Sequence, residues 1–374
     1  MSTSKFIMRL SAELINSVNK NYEDNYDHNR FGKEESKTKK HQSLKSAFIS
    51  LINKQGYFND FNNYLYGKQI ENIDYPVIDF IYLHNILQDE YSKELLVKVV
   101  AYRMLGYKKV KLPLSTHEFW SNMKLIESHQ SKVDFIDILF MNLRMPLTDL
   151  SFLGVPIKMY YSALGINIDF IIKQYELHRG EIHIAAEPGD IVIDAGGCFG
   201  DTALYFAQQV GRNGKVHVFE FISDNIEILK RNINLNEVLE PAIKLVSNPL
   251  WSSSGQQVFY LSNGPGSRVS MNEFEGYTNK TITLSIDDYR NSENLSRIDF
   301  IKMDIEGAEL NALKGAEETI KQFKPKLAIA LYHSTAEFES IPRYINELNL
   351  GYKFYLSHST IYGEETMLFA TAAK

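Results

Sequence analysis

The chain has one cysteine, Cys198, in 374 residues. No intramolecular disulfide can form, and a reducing compartment is expected. It also lacks an excess of basic charge. Its 40 Lys and Arg stand against 46 Asp and Glu, a formal net charge of −6, which argues against a chain-wide phosphate-binding surface and a nucleic-acid partner. No apolar run reaches the roughly 18–20 residues that spanning a bilayer requires. The opening residues Met1-Ser-Thr-Ser-Lys-Phe6 have no apolar core of a secretion signal. These absences lead us to expect a cytoplasmic protein with no membrane span. The length allows two domains, or one domain with a large extension.

Residues 20–46 are polar and charge-dense, with Glu34 and Glu35 among the lysines of 33–40. Because acids interleave with the lysines, a solvated or disordered leader fits better than a basic arm. From 76 to 112 the pattern turns helical: Leu95, Leu96, Val99, Val100, Arg103 and Met104 follow i, i+3, i+4 spacing. Ser92 is the expected N-cap and Gly106 the C-terminal stop. A further helix is expected over 132–144, through Phe135, Ile138, Leu139 and Leu143. Residues 1–150 thus read as a helical accessory region for substrate cover or dimerisation, its first ~45 residues the disordered leader. Residues 151–374 read as a second domain.

After Pro156 strands and helices alternate. Strands are expected at 190–194, 215–220, 242–246, 297–304, 326–332, 352–356 and 367–370, with helices at 201–210, through Ile226, Leu229 and Ile233, and from Ala308 to Phe323. A hairpin-like insertion is expected at 256–284, turning at Gly264-Pro265-Gly266. This alternation implies an α/β fold, a Rossmann-like, mostly parallel sheet with helices on both faces.

Ligands of such sheets bind beyond the carboxyl ends of the strands, where strand order reverses. The first strand ends in Asp194-Ala-Gly196-Gly197-Cys-Phe-Gly200-Asp201. Its glycines fail the G-x-G-x-x-G dinucleotide spacing, which disfavours a nicotinamide-dependent oxidoreductase. Asp194, Gly196 and Gly200 instead fit D-x-G-x-x-x-G, the turn that seats the nucleoside of S-adenosylmethionine. Asp201 and Thr202 open a helix whose free N–H groups can hold that ligand's carboxylate. Glu220 ends the second strand, where a carboxylate can accept both hydroxyls of a ribose. Phe221 and Ile222 suit an adenine face, and Asn248, Leu250 and Trp251 fall where the adenine edge is held. Glu220 can equally serve the dipole of the next helix.

The fourth strand ends in Lys302-Met-Asp304-Ile-Glu306-Gly307-Ala-Glu309. Glu309 lies in the first turn of a helix, where negative charge is favoured in any case. Asp304 has no such reason and points to the crevice.

Residues 188–371 resemble the FkbM-type methyltransferases, a class I S-adenosylmethionine-dependent family that mostly O-methylates sugars and natural products. The matching pieces are Asp194 to Asp201, Val218-Phe-Glu220, Ile286-Asp-Asp288, Ile301 to Glu309 and Leu313-Lys-Gly-Ala316. The chain departs from the family pattern at Phe221, where proline is common. The resemblance implies a seven-stranded sheet of order 3-2-1-4-5-7-6 with the last strand antiparallel. That topology brings Asp304, His333, His358 and the Glu364-Glu365 pair to one rim.

The implied activity is transfer of a methyl group to a sugar hydroxyl of a glycan or glycosylated metabolite. Other readings are a non-sugar natural-product acceptor and a non-catalytic nucleoside-binding protein. The protein must align the acceptor and take its proton. His333 is the expected general base, oriented by Asp304, with Glu306, His358 and Glu365 toward substrate. Metal-free chemistry is the first reading, and a divalent metal on Asp304 and His333 the second. A homo-oligomer is compatible with this organisation.

Overall fold

The computed structural model describes residues 2–27, 77–138, 143–262, 264–277 and 279–373. By packing, the chain falls into two units. One is the described part of Met1–Ser115 with Thr360–Glu364, and the other is Thr116–Ser359 with Glu365–Lys374. Residue 150, where the sequence pattern divided the chain, lies within the second.

In the first unit, helix α1 (Ser2–Val18) buries Phe6, Leu10 and Leu14, the i, i+4 stripe of an amphipathic helix. The start of the expected leader is therefore helical, while residues 28–46 lie outside the described residues. Helices α2 (Ile78–Ile86) and α3 (Glu90–Leu105) follow. Helix α3 buries Leu95, Leu96, Val99 and Val100, and ends at Gly106 with φ 80°. Its N-cap is Asp89 rather than Ser92: the Asp89 carboxylate accepts the Ser92 N–H at 2.6 Å. A carboxylate there bonds an orphan N–H and also meets the positive end of the helix dipole.

The second unit corrects the expected helix at 132–144. Gln130–Ile138 and Leu143–Asp149 are antiparallel strands, and Lys158–Tyr160 pairs with the latter. The short run fits both periods, and the β-branched and aromatic residues Val133, Phe135, Ile136 and Ile138 favour the pleated one.

The seven-stranded sheet comprises β1 (Ile191–Ala195), β2 (Lys215–Phe219), β3 (Ile243–Val246), β4 (Phe300–Met303), β5 (Lys326–Ala330), β6 (Lys353–His358) and β7 (Thr366–Thr371). Its order is 3-2-1-4-5-7-6, with β7 antiparallel to β5 and β6. This is the strand order and sense that the resemblance implies. Val192, Ile193, Phe300, Ile301, Leu327 and Ile329 are fully buried, so these strands read as continuous apolar runs and not as alternating ones. The expected helix 308–323 is two helices, Glu309–Lys314 and Glu317–Phe323, separated at Gly315, the weakest helix former of the run. The insertion at 256–284 has its turn at Gly264–Gly266 and a third strand, Asn279–Ile282, beside Gln257–Leu261. Strand order reverses between β1 and β4, and the candidate site lies there.

Candidate functional site

Two parallel neighbours in register build the floor of the site. Asp194 lies opposite Lys302 in the β1–β4 ladder. Lys302 Nζ stands 3.1 Å from Asp194 Oδ1, with the two side chains 1% and 0% exposed. The same ammonium donates to the carbonyls of Ala195 (3.1 Å) and Gly196 (2.6 Å). Asp194 Oδ2 accepts the Thr202 hydroxyl at 2.7 Å. Burial works against the Lys302 charge, but Asp194 and then Asp304 hold its pKa above the ordinary lysine value. One lysine thus ties strand, glycine turn and following helix together.

The turn itself requires glycine at 196. Its φ is 88°, and a Cβ there would fall 2.0 Å from the Asp304 carbonyl oxygen. The N–H groups of Gly196 and Gly197 both bond the Phe219 carbonyl at 3.0 Å. Gly200, at φ 85°, caps helix Asp201–Val210. Non-glycine residues with positive φ also gather at this rim: Cys198 (37°), Glu306 (57°) and Glu365 (65°). Such backbone strain concentrates at functional sites.

Glu220 is buried, and its carboxylate is largely engaged. Oε1 accepts the N–H groups of Phe221 (2.7 Å) and Ile222 (2.8 Å), and Oε2 accepts from Asn225 at 3.2 Å. The expected bidentate grip on a diol is therefore narrowed to what Oε2 can still accept. Burial raises the Glu220 pKa against these donors. Phe221 packs edge-on against Tyr260 at 5.1 Å. Leu250 is buried in a parallel bridge with Leu284, and the Trp251 N–H bonds the Leu284 carbonyl at 3.1 Å.

Asp304 follows β4. Tyr332 Oη donates to both its oxygens at 2.9 Å, and Tyr175 Oη to Oδ2 at 3.2 Å. Burial keeps both phenols protonated. His333 stands between carboxylates: Nε2 is 3.3 Å from Asp304 Oδ1 and 3.8 Å from Glu306 Oε1, and Nδ1 is 3.2 Å from Glu309 Oε1. These are ion-pair distances without well-directed hydrogen bonds. Burial alone would strip the ring of its charge, yet Asp304 and Glu309 push its pKa up to about 12. In turn, burial would raise the Asp304 pKa, but the His333 charge and Lys302 hold it below the ordinary carboxylate value. A pKa of about 12 leaves His333 an imidazolium at neutral pH, with no lone pair to accept a proton, which argues against the part of general base expected of it. Glu309 is no mere helix-end charge either: it is fully buried and Oε1 accepts the Ile305 N–H at 2.7 Å. Asp304, Glu309 and His333 each bring one donor atom within 4.8 Å of the others, a geometry open to a divalent ion, where the imidazolium already supplies positive charge.

Of the remaining candidates, Glu365 is brought into this network, its Oε2 accepting from Gln174 at 2.8 Å. Gln174 in turn bonds Tyr175 Oη at 3.2 Å. His358 is buried and its Nδ1 meets Thr366 Oγ1 at 2.9 Å, across the β6–β7 ladder. Glu364 belongs to the other packing unit.

Tyr161, Asp169 and Tyr175, all upstream of β1, carried no recognisable sequence pattern. Tyr161 Oη donates to Asp201 Oδ2 at 3.0 Å. Lys302 had a legible signal: it stands one residue before the end of β4, as Asp194 does in β1.

Residues 194–354 match the methyltransferase FkbM domain. Methyltransferase sdnD of Sordaria araneosa is 28% identical over 192 residues, covering 42% of this chain and 73% of that protein. Among solved structures, methyltransferase FkbM from Methylobacillus flagellatus KT aligns at a TM-score of 0.48 with 18% identity, over 79% of this chain and 58% of that one. Aeropyrum pernix fibrillarin, a complex with natively bound S-adenosyl-L-methionine, aligns at 0.36 with 12% identity, over 63% and 93%.

Proposed function

We propose that this chain, whose residues 194–354 form a methyltransferase FkbM domain, is an S-adenosylmethionine-dependent O-methyltransferase acting on a sugar hydroxyl of a glycan or glycosylated metabolite. The observation that carries this reading is the charge of the rim. Asp201, Asp304, Glu306, Glu309 and Glu365 lie about the glycine turn and β4, against two cations, Lys302 and His333. Such an imbalance fits a ligand that is itself cationic. When bound, that cofactor supplies an electrophilic methyl group on a sulfonium. Asp194, Thr202 and Lys302 fix the turn that would hold it, and Glu220 would offer Oε2 to its ribose.

The residues of this chain then have to orient the acceptor and receive its proton. Asp304 takes that part in place of His333. Its carboxylate is kept ionised by the imidazolium and held in orientation by Tyr175 and Tyr332. Glu306 and Glu365, with their side chains on the same rim, are placed to hydrogen-bond further acceptor hydroxyls. The N-terminal accessory region serves substrate cover or dimerisation, which sedimentation of the full and truncated chains separates. Among the described residues no helix is long and apolar enough to cross a membrane.

The test is methyl transfer from labelled cofactor to a panel of sugar and non-sugar acceptors, read as the mass gain of one methylene unit per transfer. Asp304→Asn should cut turnover by about 10²–10⁴-fold while leaving cofactor affinity within a few-fold. Cofactor binding with no transfer to any acceptor would favour a non-catalytic nucleoside-binding protein. Transfer to non-sugar acceptors alone would move the substrate class. A chelator titration of activity reads metal dependence.

A further inference from the structure

Before β1 the chain doubles back in a short hairpin, Leu177–Arg179 against Ile182–Ile184, turning at Gly180-Glu181. Gly180 has φ 59°, the left-handed value that a two-residue hairpin turn asks of its first central residue. Side chains alternate across the pleat. Leu177 and Ile184 are buried on one face, while His178 and His183, direct partners in the ladder, stand on the other. Their side chains are about half exposed. Arg179 Nη2 donates to the Leu356 carbonyl at 3.0 Å, which ties the hairpin to β6.

The two rings meet through the same atom. His178 Nδ1 and His183 Nδ1 are 2.8 Å apart, and a glutamate faces the other nitrogen of each ring. Glu176 Oε2 lies 2.8 Å from His178 Nε2, and Glu187 Oε1 lies 3.8 Å from His183 Nε2. Both glutamates are anchored: Glu176 by Lys173 at 2.7 Å, Glu187 by Lys326 at 3.0 Å. A neutral imidazole carries its N–H on one nitrogen and a lone pair on the other, and a facing carboxylate draws the N–H to its own side. With both N–H groups turned to glutamates, two Nδ1 lone pairs are left at hydrogen-bond distance with no hydrogen between them. Such a pair needs an electrophile in common, either a shared proton or a metal ion.

The outer carboxylates favour the metal. A metal-bound histidine characteristically gives its second N–H to a carboxylate, which fixes the tautomer and strengthens the ligand. Distance then selects the ion. Two nitrogens about 2.0–2.1 Å from one ion are about 2.9 Å apart at a right angle and about 3.4 Å apart at a tetrahedral one. The observed 2.8 Å is close to the first, the cis arrangement of square-planar or tetragonal copper(II) and nickel(II).

We infer that His178 and His183 form a two-imidazole site for a divalent first-row transition ion of tetragonal preference, nickel(II) or copper(II), with Glu176 and Glu187 as its outer carboxylates. Water fills the remaining positions. Where the pair holds a shared proton, that proton leaves to water as the ion enters. The site shares no residue with the cluster of Asp304, Glu309 and His333, and the inference is independent of the cofactor reading. Bound there, the ion clasps the two strands across their turn.

Isothermal titration of the metal-free full chain with nickel chloride tests this, beside His178→Ala, His183→Ala and Glu176→Gln. The chain has ten histidines, so the comparison with the variants carries the result. The native chain should show a site for one ion. Loss of an outer carboxylate costs about 10–100-fold in metal affinity, so Glu176→Gln should weaken the site by that factor and either alanine variant by at least as much. Electron paramagnetic resonance with copper(II) should show two bound nitrogens in the native chain and one in each alanine variant. Nickel should raise the melting temperature of the native chain and of neither alanine variant, since an ion that binds the folded state stabilises it. Far-UV circular dichroism of the metal-free alanine variants should match the native chain, which separates lost binding from lost fold. Nickel binding of equal strength by the native chain and both alanine variants overturns the inference, as other histidines would then hold the ion. No binding by the native chain also overturns it, and leaves the pair sharing a proton.

Discussion

Lys302→Met is the most informative single change, because the lysine is both sealed from water and fully bonded. The substitution keeps an unbranched side chain of similar length in place, so cavity formation contributes little. What changes is electrostatic. Asp194, fully buried, retains only the Thr202 hydroxyl, and the carbonyls of Ala195 and Gly196 lose the ammonium. Removing one member of a buried ion pair costs about 3–5 kcal/mol, since the survivor is left charged in a poor solvent. Replacing both members costs much less than the sum of the two single changes. For Lys302→Met combined with Asp194→Asn, the coupling should therefore reach about 1–3 kcal/mol, within the range of contacting pairs.

The assay is chemical denaturation followed by tryptophan fluorescence. Trp120 and Trp251, the two tryptophans of the chain, both lie in the unit that holds the pair, so the signal reports that unit's unfolding. Transition midpoints and slopes for native, both single variants and the double variant complete the cycle. A loss below about 1 kcal/mol for Lys302→Met, or a double variant whose loss equals the sum of the singles, would refute the reasoning. The lysine would then be a passenger, and the strand-end register of Asp194 and Lys302 would carry no energetic meaning.

Four further outcomes follow from the same geometry. Since His333 is held as an imidazolium, with a folded pKa of about 12, turnover should stay flat from about pH 6 to 8; a rise through the ordinary histidine pKa of about 6.5 would restore the ring as the base. Its stabilising contribution is complete below that unfolded value and is lost as pH rises toward the folded one, so His333→Gln should differ most from native at low pH. Glu337 accepts the N–H groups of His333 and Ser334 at 3.1 Å, and burial, with the Glu309 charge, raises its pKa to about 7. A raised acid binds its proton more tightly in the folded state, so this term weakens stability as pH climbs from about 4.5 to 7; Glu337→Gln should flatten that part of a melting-temperature profile, and an unchanged slope would remove Glu337 from it. Gly196→Ala combines a left-handed φ with a Cβ placed 2.0 Å from the Asp304 backbone oxygen. Strain of about 1–3 kcal/mol plus displacement of the β1–β4 contact should lower the melting temperature and cofactor affinity together, and loss of neither would show that the turn yields freely.

The sheet was legible because its signals are local. Continuous runs such as Ile191-Val-Ile193 and Leu327-Ala-Ile-Ala330 are buried on both faces, and glycine turns or helix starts punctuate them. The strand at Gln130–Ile138 was not, because eight or nine residues of mixed polarity satisfy a helical period as well as an alternating one, and only pairing with Leu143–Asp149 decides. At the site, Asp194, Gly196 and Asp304 were readable from spacing. Asp169 was not, since the one-turn π-helix that carries it, Asn167–Ile172, has no sequence period.

The reading of His333 as a base has the same origin. A histidine at a strand end reads as a base when its neighbours are unknown, and Glu309 reads as a helix-dipole charge when only its position in the helix is known. Each assignment was reasonable alone. Together in space they exclude one another, because a carboxylate 3.2 Å from Nδ1 and another 3.3 Å from Nε2 fix the ring's proton in place. As a fixed positive charge beside Asp304, the ring holds that carboxyl below its ordinary pKa. In the proposed mechanism the proton-accepting role therefore moves by one contact, from the histidine to the aspartate it faces. Only the fold brings the three together: residues 304, 309 and 333 are separated in the chain and meet because β4 and β5 are parallel neighbours that end on the same rim.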